Sequence, residues 1–411
     1  MGATNAGPLA GIRVLDVTRI LSGPFGGMIL ADLGADVVHL EQPAGGDETR
    51  TYPPFYPAGE SHYFVSVNRN KRSIAVDLRT PEGQDILRRL ARSADVLLEN
   101  FRPGTMARWG LDWPALAAEN PRLIYCSVSG FGQTGPLRDK VSFDIVTQAM
   151  SGGMSVTGEP GQPMRSGIPI GDLIGGLYGA IGILAALAER ERTGRGQYID
   201  LALHDGMLTL LGYLAGRYFL TGQSPGAMGS HHLSLVPYGV YRCRDGHLVI
   251  AILVESFWPK LCAAMGVPEL ADDPRFRTNQ DRLAHRAEVT QALEAVLTQR
   301  TVAEWTERFE AANIPFAPIL SVGEALEHPQ TVARGMVETV EHPTIGPMRT
   351  VGRALRFSEH PAWPPLRPAP LLGQHTAEVL AEWAGVPAAT VVEWHRRGVV
   401  YDRAAAEGTG G

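Results

Sequence analysis

Ser73-Ile74-Ala75-Val76-Asp77-Leu78-Arg79-Thr80-Pro81-Glu82-Gly83 reads as a strand running into a helix. Ser73–Leu78 is a short β-rich run. Thr80 is an N-cap residue type, and Pro81 stands at the first helical position, where its missing N–H is no loss. Ile86, Leu87 and Leu90 then fall at i, i+1 and i+4, as a helix face packed on a sheet requires. The same alternation extends both ways. Ile12–Val17 and Asp36–Glu41 read as earlier strands, with a helix over Gly26–Gly34 between them. Asp95–Glu99 and Leu123–Val128 read as later strands. Strands alternating with helices predict an α/β fold with a parallel, doubly wound sheet.

The pattern changes after residue 222. Gln223–Ser230 has linker composition, and Tyr241–Ile250 reads as a hairpin around Asp245-Gly246. Amphipathic helices are expected near 256–265, 280–299 and 302–312. The expected organisation is therefore a large domain whose first part is 1–222, a smaller α+β domain over 225–325, and a proline-rich, extended return segment over 326–403 that packs on the large domain. Residues 404–411 are expected to be a disordered tail. No internal repeat is visible.

The chain has 411 residues, 44% of them hydrophobic and 19% charged, the balance of an ordinary globular protein. A net charge of -6 argues against a general nucleic-acid binder. Cys126, Cys243 and Cys262 form no CxxC pair, so neither a disulfide framework nor a zinc site is suggested. The N-terminal residues lack the basic and apolar regions of a signal peptide, and the apolar run 173–188 is short and glycine-rich for a membrane span. A cytoplasmic protein that binds no membrane is expected.

The chemistry concentrates on Gly167–Gly182, where Asp172 opens a run carrying Gly175, Gly176, Gly179 and Gly182 and continuing as a helix to Glu189. Four interior glycines cost a helix roughly 3–4 kcal/mol relative to alanine. Such a cost implies close approach of a packed neighbour or of a ligand. An aspartate before a helix is most often an N-cap. A carboxylate beside exposed backbone is also suited to nucleophilic attack on a bulky activated acyl group. Three further segments have both a bland and a functional reading. Gly23-Pro24-Phe25-Gly26-Gly27 is a tight βα turn rather than a GxGxxG fingerprint. Gly130–Gly135 follows a strand and precedes Lys140 and Phe143-Asp144, a common position for a ligand loop. Asn68-Arg69-Asn70-Lys71-Arg72, with Arg79, is a phosphate cluster or, more usually, a solvated run. His231-His232 lacks metal-site spacing, and neither a GxSxG elbow nor a P-loop occurs.

Together, Pro8–Asp16, Asn70–Ile74, Glu99-Asn100-Phe101-Arg102-Pro103-Gly104, Thr193–Gln197 and Pro370–Thr376 resemble the family III CoA-transferases, the group that includes formyl-CoA transferase and alpha-methylacyl-CoA racemase. The resemblance implies a Rossmann-like large domain, a small domain, and two ring-like subunits threaded as an interlocked homodimer. It places the family's nucleophilic aspartate on Asp172, with Gly171, Phe143, Asp144 and Gly229 as support for the active site and its oxyanions. CoA contacts fall on Leu21, Ser22, Arg79, Asn100, Phe101, Arg108 and Lys140. Gln42 stands where the family has an arginine. The implied reaction moves CoA from an acyl-CoA to a free carboxylic acid, with CoA as substrate and no tightly bound cofactor or metal. Racemases of this group have His-Asp where this chain has Phe143-Asp144, which favours transfer over epimerisation. A noncatalytic acyl-CoA-binding subunit is the other alternative, and Asp172 argues against it. The segment Gly229–Tyr238 is similar to members acting on dicarboxylates such as succinate. Arg50, Arg165, His231 and His232 are the candidate partners of the second carboxylate.

Overall fold

A computed structural model describes residues 7–360 and 363–408. Its contacts divide the chain into two units. The larger runs to Gly153 and resumes over Arg165–Thr221 and from Val332 onward. The smaller comprises Met154–Met164 and Gly222–Thr331.

The larger unit is built on a seven-stranded sheet. Its strands are β1 (Arg13–Asp16), β2 (Asp36–Glu41), β3 (Arg72–Val76), β4 (Val96–Glu99), β5 (Ile124–Ser129), β6 (Tyr198–Ala202) and β7 (Val400–Tyr401). The first six are parallel in the order 3-2-1-4-5-6, and β7 adds antiparallel to β3 at one edge. The strands are apolar on both faces, and alternate residues serve different cores. Val14, Val37, Leu98 and Cys126 pack under the helices Ser22–Asp32 and Ile170–Thr193. Leu15, Val38, Leu97 and Tyr125 pack under Pro81–Ser93 and Thr376–Ala384. Burial on both faces is what a parallel sheet covered by crossover helices demands.

Local chemistry sets the helix boundaries. Thr80 caps Pro81–Ser93, its Oγ1 accepting the Gly83 N–H at 3.0 Å, a bond worth about 1 kcal/mol. Ile86, Leu87 and Leu90 are fully buried, as their spacing required. The glycine-rich helix spans Ile170–Thr193 and ends on Gly194 at φ 71°. It starts three residues earlier than expected. Pro169 occupies the N-cap, and Asp172 is the third helical residue rather than the cap. By length and composition this helix could cross a bilayer, yet half of its most apolar window is buried inside the protein.

The segment beyond 326 is not extended throughout. Val337–His342 and Gly346–Val351 pair as a hairpin, and Thr376–Ala384 and Ala388–Arg396 are helices. Arg403–Gly408 is also helical where a disordered tail was expected, and 409–411 lie outside the described residues.

The smaller unit holds a three-stranded antiparallel sheet. The Asp245-Gly246 turn joins Tyr238–Arg242 to His247–Ala251, which also pairs with Phe316–Pro318. Trp258, Leu261, Phe276, Leu293, Trp305 and Phe309 fill its core. Its sequence-distant piece, Met154–Met164, was not anticipated.

Candidate active site

Ligands of open parallel sheets bind beyond the carboxyl ends of the strands, where the strand order reverses. Here that point lies between β1 and β4. The turn Arg19–Ser22 leaves β1, Asn100 and Phe101 leave β4, and the two segments are joined. Arg19 N–H donates to Asn100 Oδ1, and Asn100 Nδ2 donates to the Arg19 carbonyl, both at 2.9 Å. Phe101 packs edge-on against Trp109 and under the Arg19 guanidinium. Arg79 stands beyond β3, highly exposed and paired with Asp77. Arg108 is exposed and donates to Thr105 Oγ1. Lys140 is exposed over the Phe131 ring. Leu21 and Ser22 are buried. The Ser22 hydroxyl has no hydrogen-bond partner among the described residues.

The glycine-rich helix lies directly against that turn. A Cβ on Gly175 would meet Leu203 Cδ2 at 2.2 Å and Ser22 Oγ at 2.4 Å. One on Gly176 would meet the Ser22 carbonyl oxygen at 2.7 Å. Gly175 and Gly176 are therefore consumed by helix packing. They do not supply open backbone to a ligand. Gly179 and Gly182 have ordinary room, with nearest atoms at 3.8 and 3.5 Å. Residues 172, 175, 176 and 179 share a helix face, so this contact seats Asp172 one turn from Ser22.

Asp172 is half-buried, and its carboxyl is pushed up to about 7 by burial and, second, by the negative charge of Asp144. Asp144 is the first residue of the helix Asp144–Met150. Its Oδ1 accepts the N–H groups of Gly171 (2.8 Å) and Asp172 (3.3 Å), capping the long helix from 27 residues away. Gln148 donates to Asp144 Oδ2 at 2.7 Å, and its Oε1 accepts the Ser166 N–H at 2.9 Å. The Gly171 N–H is thus committed to Asp144 and is not a free oxyanion donor. Phe143 is 60% exposed, and its carbonyl caps the Asp144 helix.

Tyr63 is a residue that sequence reading missed. Its phenol is pushed up to about 12 by burial, then by the charge of Asp172, then by Tyr52. It is held on the short helix His62–Val67, capped by Ser61. The charge of the Asp172 carboxylate thus helps to keep the Tyr63 hydroxyl neutral. No sequence motif marks it.

Arg50 does not have the freedom that a substrate ligand needs. It forms a bidentate pair with Glu41 at 2.6 and 2.8 Å, donates to the Pro370 carbonyl, and lies 3.5 Å over the Phe64 ring. That pair holds the Glu41 carboxyl down at about 2 against the opposing effect of burial. The Asn68–Ser73 run is neither a phosphate cluster nor a solvated face, because all six residues are buried. Lys71 Nζ bonds Asp16 Oδ2, Asn68 Oδ1 and the Pro24 carbonyl, each at 2.8 Å. Arg69 pairs with Asp32 and Arg72 with Asp36. Arg165 is exposed, donating to the Ser166 carbonyl.

Gly229, His231 and His232 belong to the smaller unit. Gly229 sits at φ 59° with its N–H on the Gly158 carbonyl, and a Cβ there would strike Glu159 at 2.6 Å. His231 lies edge-on to Tyr241, with its ring against Gly239. His232 packs on Tyr238. Among the described residues no cluster of three His, Cys, Asp or Glu could hold a metal.

Residues 9–376 match CoA-transferase family III. The chain is 41% identical over 385 residues to a succinate–glutarate CoA-transferase of Agrobacterium fabrum, covering 91% of this chain and 95% of that one. It is 44% identical over 333 residues to an acetyl-CoA:oxalate CoA-transferase of Acetobacter aceti, covering 80% and 85%. A solved CAIB/BAIF family protein from Brucella suis superposes with a TM-score of 0.83 at 40% identity, over 92% of this chain and 99% of that one. The chain belongs to CoA-transferase family III.

Proposed function

We propose that this enzyme moves CoA from an acyl-CoA such as succinyl-CoA to a free dicarboxylic acid, through covalent intermediates on Asp172. The observation that carries the reading is the Asp172 carboxyl. It is raised to about 7 and seated one helical turn from the turn beyond β1 at the sheet's switch point. Both named relatives have names that include a dicarboxylic acid, glutarate in one and oxalate in the other.

In the proposed cycle, the Asp172 carboxylate attacks the thioester carbonyl. The C–S bond breaks, leaving an acyl–aspartyl anhydride and CoA thiolate. The thiolate attacks the aspartyl carbonyl, the anhydride C–O bond breaks, and the donor acid departs as its carboxylate. The acceptor carboxylate then attacks the aspartyl thioester, and the sequence reverses. Each step exchanges one activated acyl bond for another, so no ATP is needed. A carboxyl poised near 7 is a more basic nucleophile than an ordinary aspartate yet ionises within the physiological range.

Epimerisation of the α-carbon needs a base on each face. Phe143 brings no titratable group, which favours transfer. Leu21, Ser22, Asn100 and Phe101 at the switch point support a Rossmann-like CoA site, with Arg79, Arg108 and Lys140 as exposed cations for its phosphates. Arg165, exposed and held among the described residues only by the Ser166 carbonyl, remains as a partner for the distal carboxylate. Two exposed apolar faces support a homodimer. Leu177 and Ile181 line the long helix, and Tyr213–Thr221 has no buried residue and exposes Phe219 and Leu220. Three free, buried cysteines suit a reducing cytoplasm.

The test is incubation with a panel of acyl-CoAs, followed by hydroxylamine or borohydride trapping and peptide mass mapping. The reading expects modification at Asp172 and faster transfer from succinyl-CoA than from acetyl-CoA or formyl-CoA. Trapping elsewhere removes the mechanism, and preference for a monocarboxylic donor removes the substrate class.

A further inference from the structure

Ile20 has φ 70°, one of three non-glycine residues in the left-handed region among the described residues. A β-branched side chain there clashes with its own backbone, and such strain persists only where the surroundings impose it. The surroundings here are specific. On the preceding residue, Asn100 holds both the N–H and the carbonyl of Arg19 at 2.9 Å, in the manner of a paired strand. On Ile20 itself, Asp47 Oδ2 accepts the N–H at 3.0 Å. Two residues earlier, Thr18 is tied through its N–H and hydroxyl to Asp16 Oδ1. Downstream, Lys71 grips the Pro24 carbonyl. Asp47 is fixed in turn by the Glu41 carboxylate, which accepts its N–H at 2.9 Å. Side chains from β1, from just before β3, from just after β4 and from the loop after β2 thus converge on one turn of backbone.

We infer that Asn100 and Asp47 are positioning residues that hold the left-handed Ile20 turn, and through it the approach of Leu21 and Ser22 to the acyl-CoA beside Asp172. Asn100 acts through Arg19, because both ends of its amide are already committed to that peptide. This rests on the proposed acyl-CoA reading. CoA affinity, measured calorimetrically, reports on it whether or not the proposed covalent chemistry holds.

The geometry makes a distinctive demand. Asparagine tolerates the left-handed region far better than isoleucine. An Ile20→Asn turn should keep its shape with less help. Asn100→Ala should weaken CoA binding about 10-fold, the scale of releasing one strained residue, with kcat changing less than about 3-fold. Ile20→Asn alone should bind CoA within about 3-fold of wild type. In Ile20→Asn/Asn100→Ala the loss caused by Asn100→Ala should shrink to about 3-fold or less. Asn100→Asp, which keeps the acceptor for Arg19 N–H, should fall between wild type and Asn100→Ala. Circular dichroism and the thermal midpoint verify folding. If Asn100→Ala does not fold, the same comparison is made with Asn100→Asp in both Ile20 backgrounds. An equal loss in both backgrounds overturns the inference, since a direct CoA contact would not sense the residue at 20. A tenfold loss from Ile20→Asn alone overturns it as well.

Discussion

Asp172→Asn should make the protein more stable and inactive at once, with a gain that grows with pH. The Asp172 carboxyl is raised from 3.8 to about 7, mainly by burial and then by Asp144. A carboxyl whose folded value exceeds its unfolded value imposes no penalty below about pH 4. The penalty grows as pH rises, because the unfolded chain ionises first, and it levels off above about pH 7. A three-unit shift corresponds to about 4 kcal/mol at full strength. Asp172 is only half-buried, so solvent screening reduces this to about 2 kcal/mol. An asparagine cannot ionise and escapes the penalty. Urea denaturation near pH 5 and near pH 8.5 should therefore show the advantage of Asp172→Asn over wild type widening by about 1–2 kcal/mol. Transfer activity should fall to background in the same variant. An advantage that is flat or shrinks with pH would refute the assignment of a strained, proton-holding carboxyl at this position.

Removing the neighbouring charge with Asp144→Asn should lower the Asp172 value, moving the acidic limb of the kcat/KM–pH profile to lower pH; an upward move contradicts the coupling. Gly175→Ala should destabilise by about 1–3 kcal/mol through collision with Leu203 and Ser22, whereas Gly182→Ala should stabilise by about 0.5–1 kcal/mol. Paired thermal melts decide between packing and ligand access as the reason for these glycines. Lys71→Met should cost about 3–5 kcal/mol, because Asp16 would be left buried without its cation. Arg165→Ala should raise KM for the dicarboxylic acid more than KM for acyl-CoA, read from initial rates with each substrate varied in turn.

The sheet was legible because its strands are short apolar runs bounded by turn residues, and the Thr80 cap is a local signal. What escaped prediction was non-local. Asp144 caps a helix that starts 26 residues later, so nothing beside Asp172 announced that Pro169 would take the cap position. The cationic run at 68–72 looked solvated because its partners, Asp16, Asp32 and Asp36, lie on other elements. Beyond 326 the prolines masked the hairpin at 337–351, although Val340 and His342 alternate inward. Around the candidate site, Asp172, Asp144 and the switch-point residues were named from sequence. Tyr63 was not, since its relation to Asp172 exists only through folding.

The seam between Gly26 and Gly176 has a consequence for change over time. A Cβ on Gly26 would meet the Gly176 carbonyl oxygen at 3.0 Å, so main chain meets main chain there with no side chain to lengthen or shorten. The spacing between Asp172, the proposed nucleophile, and the Leu21-Ser22 turn, the proposed coenzyme cradle, is therefore gauged by peptide geometry. On the proposed mechanism, substitutions in the surrounding loops can alter acid preference without altering that spacing.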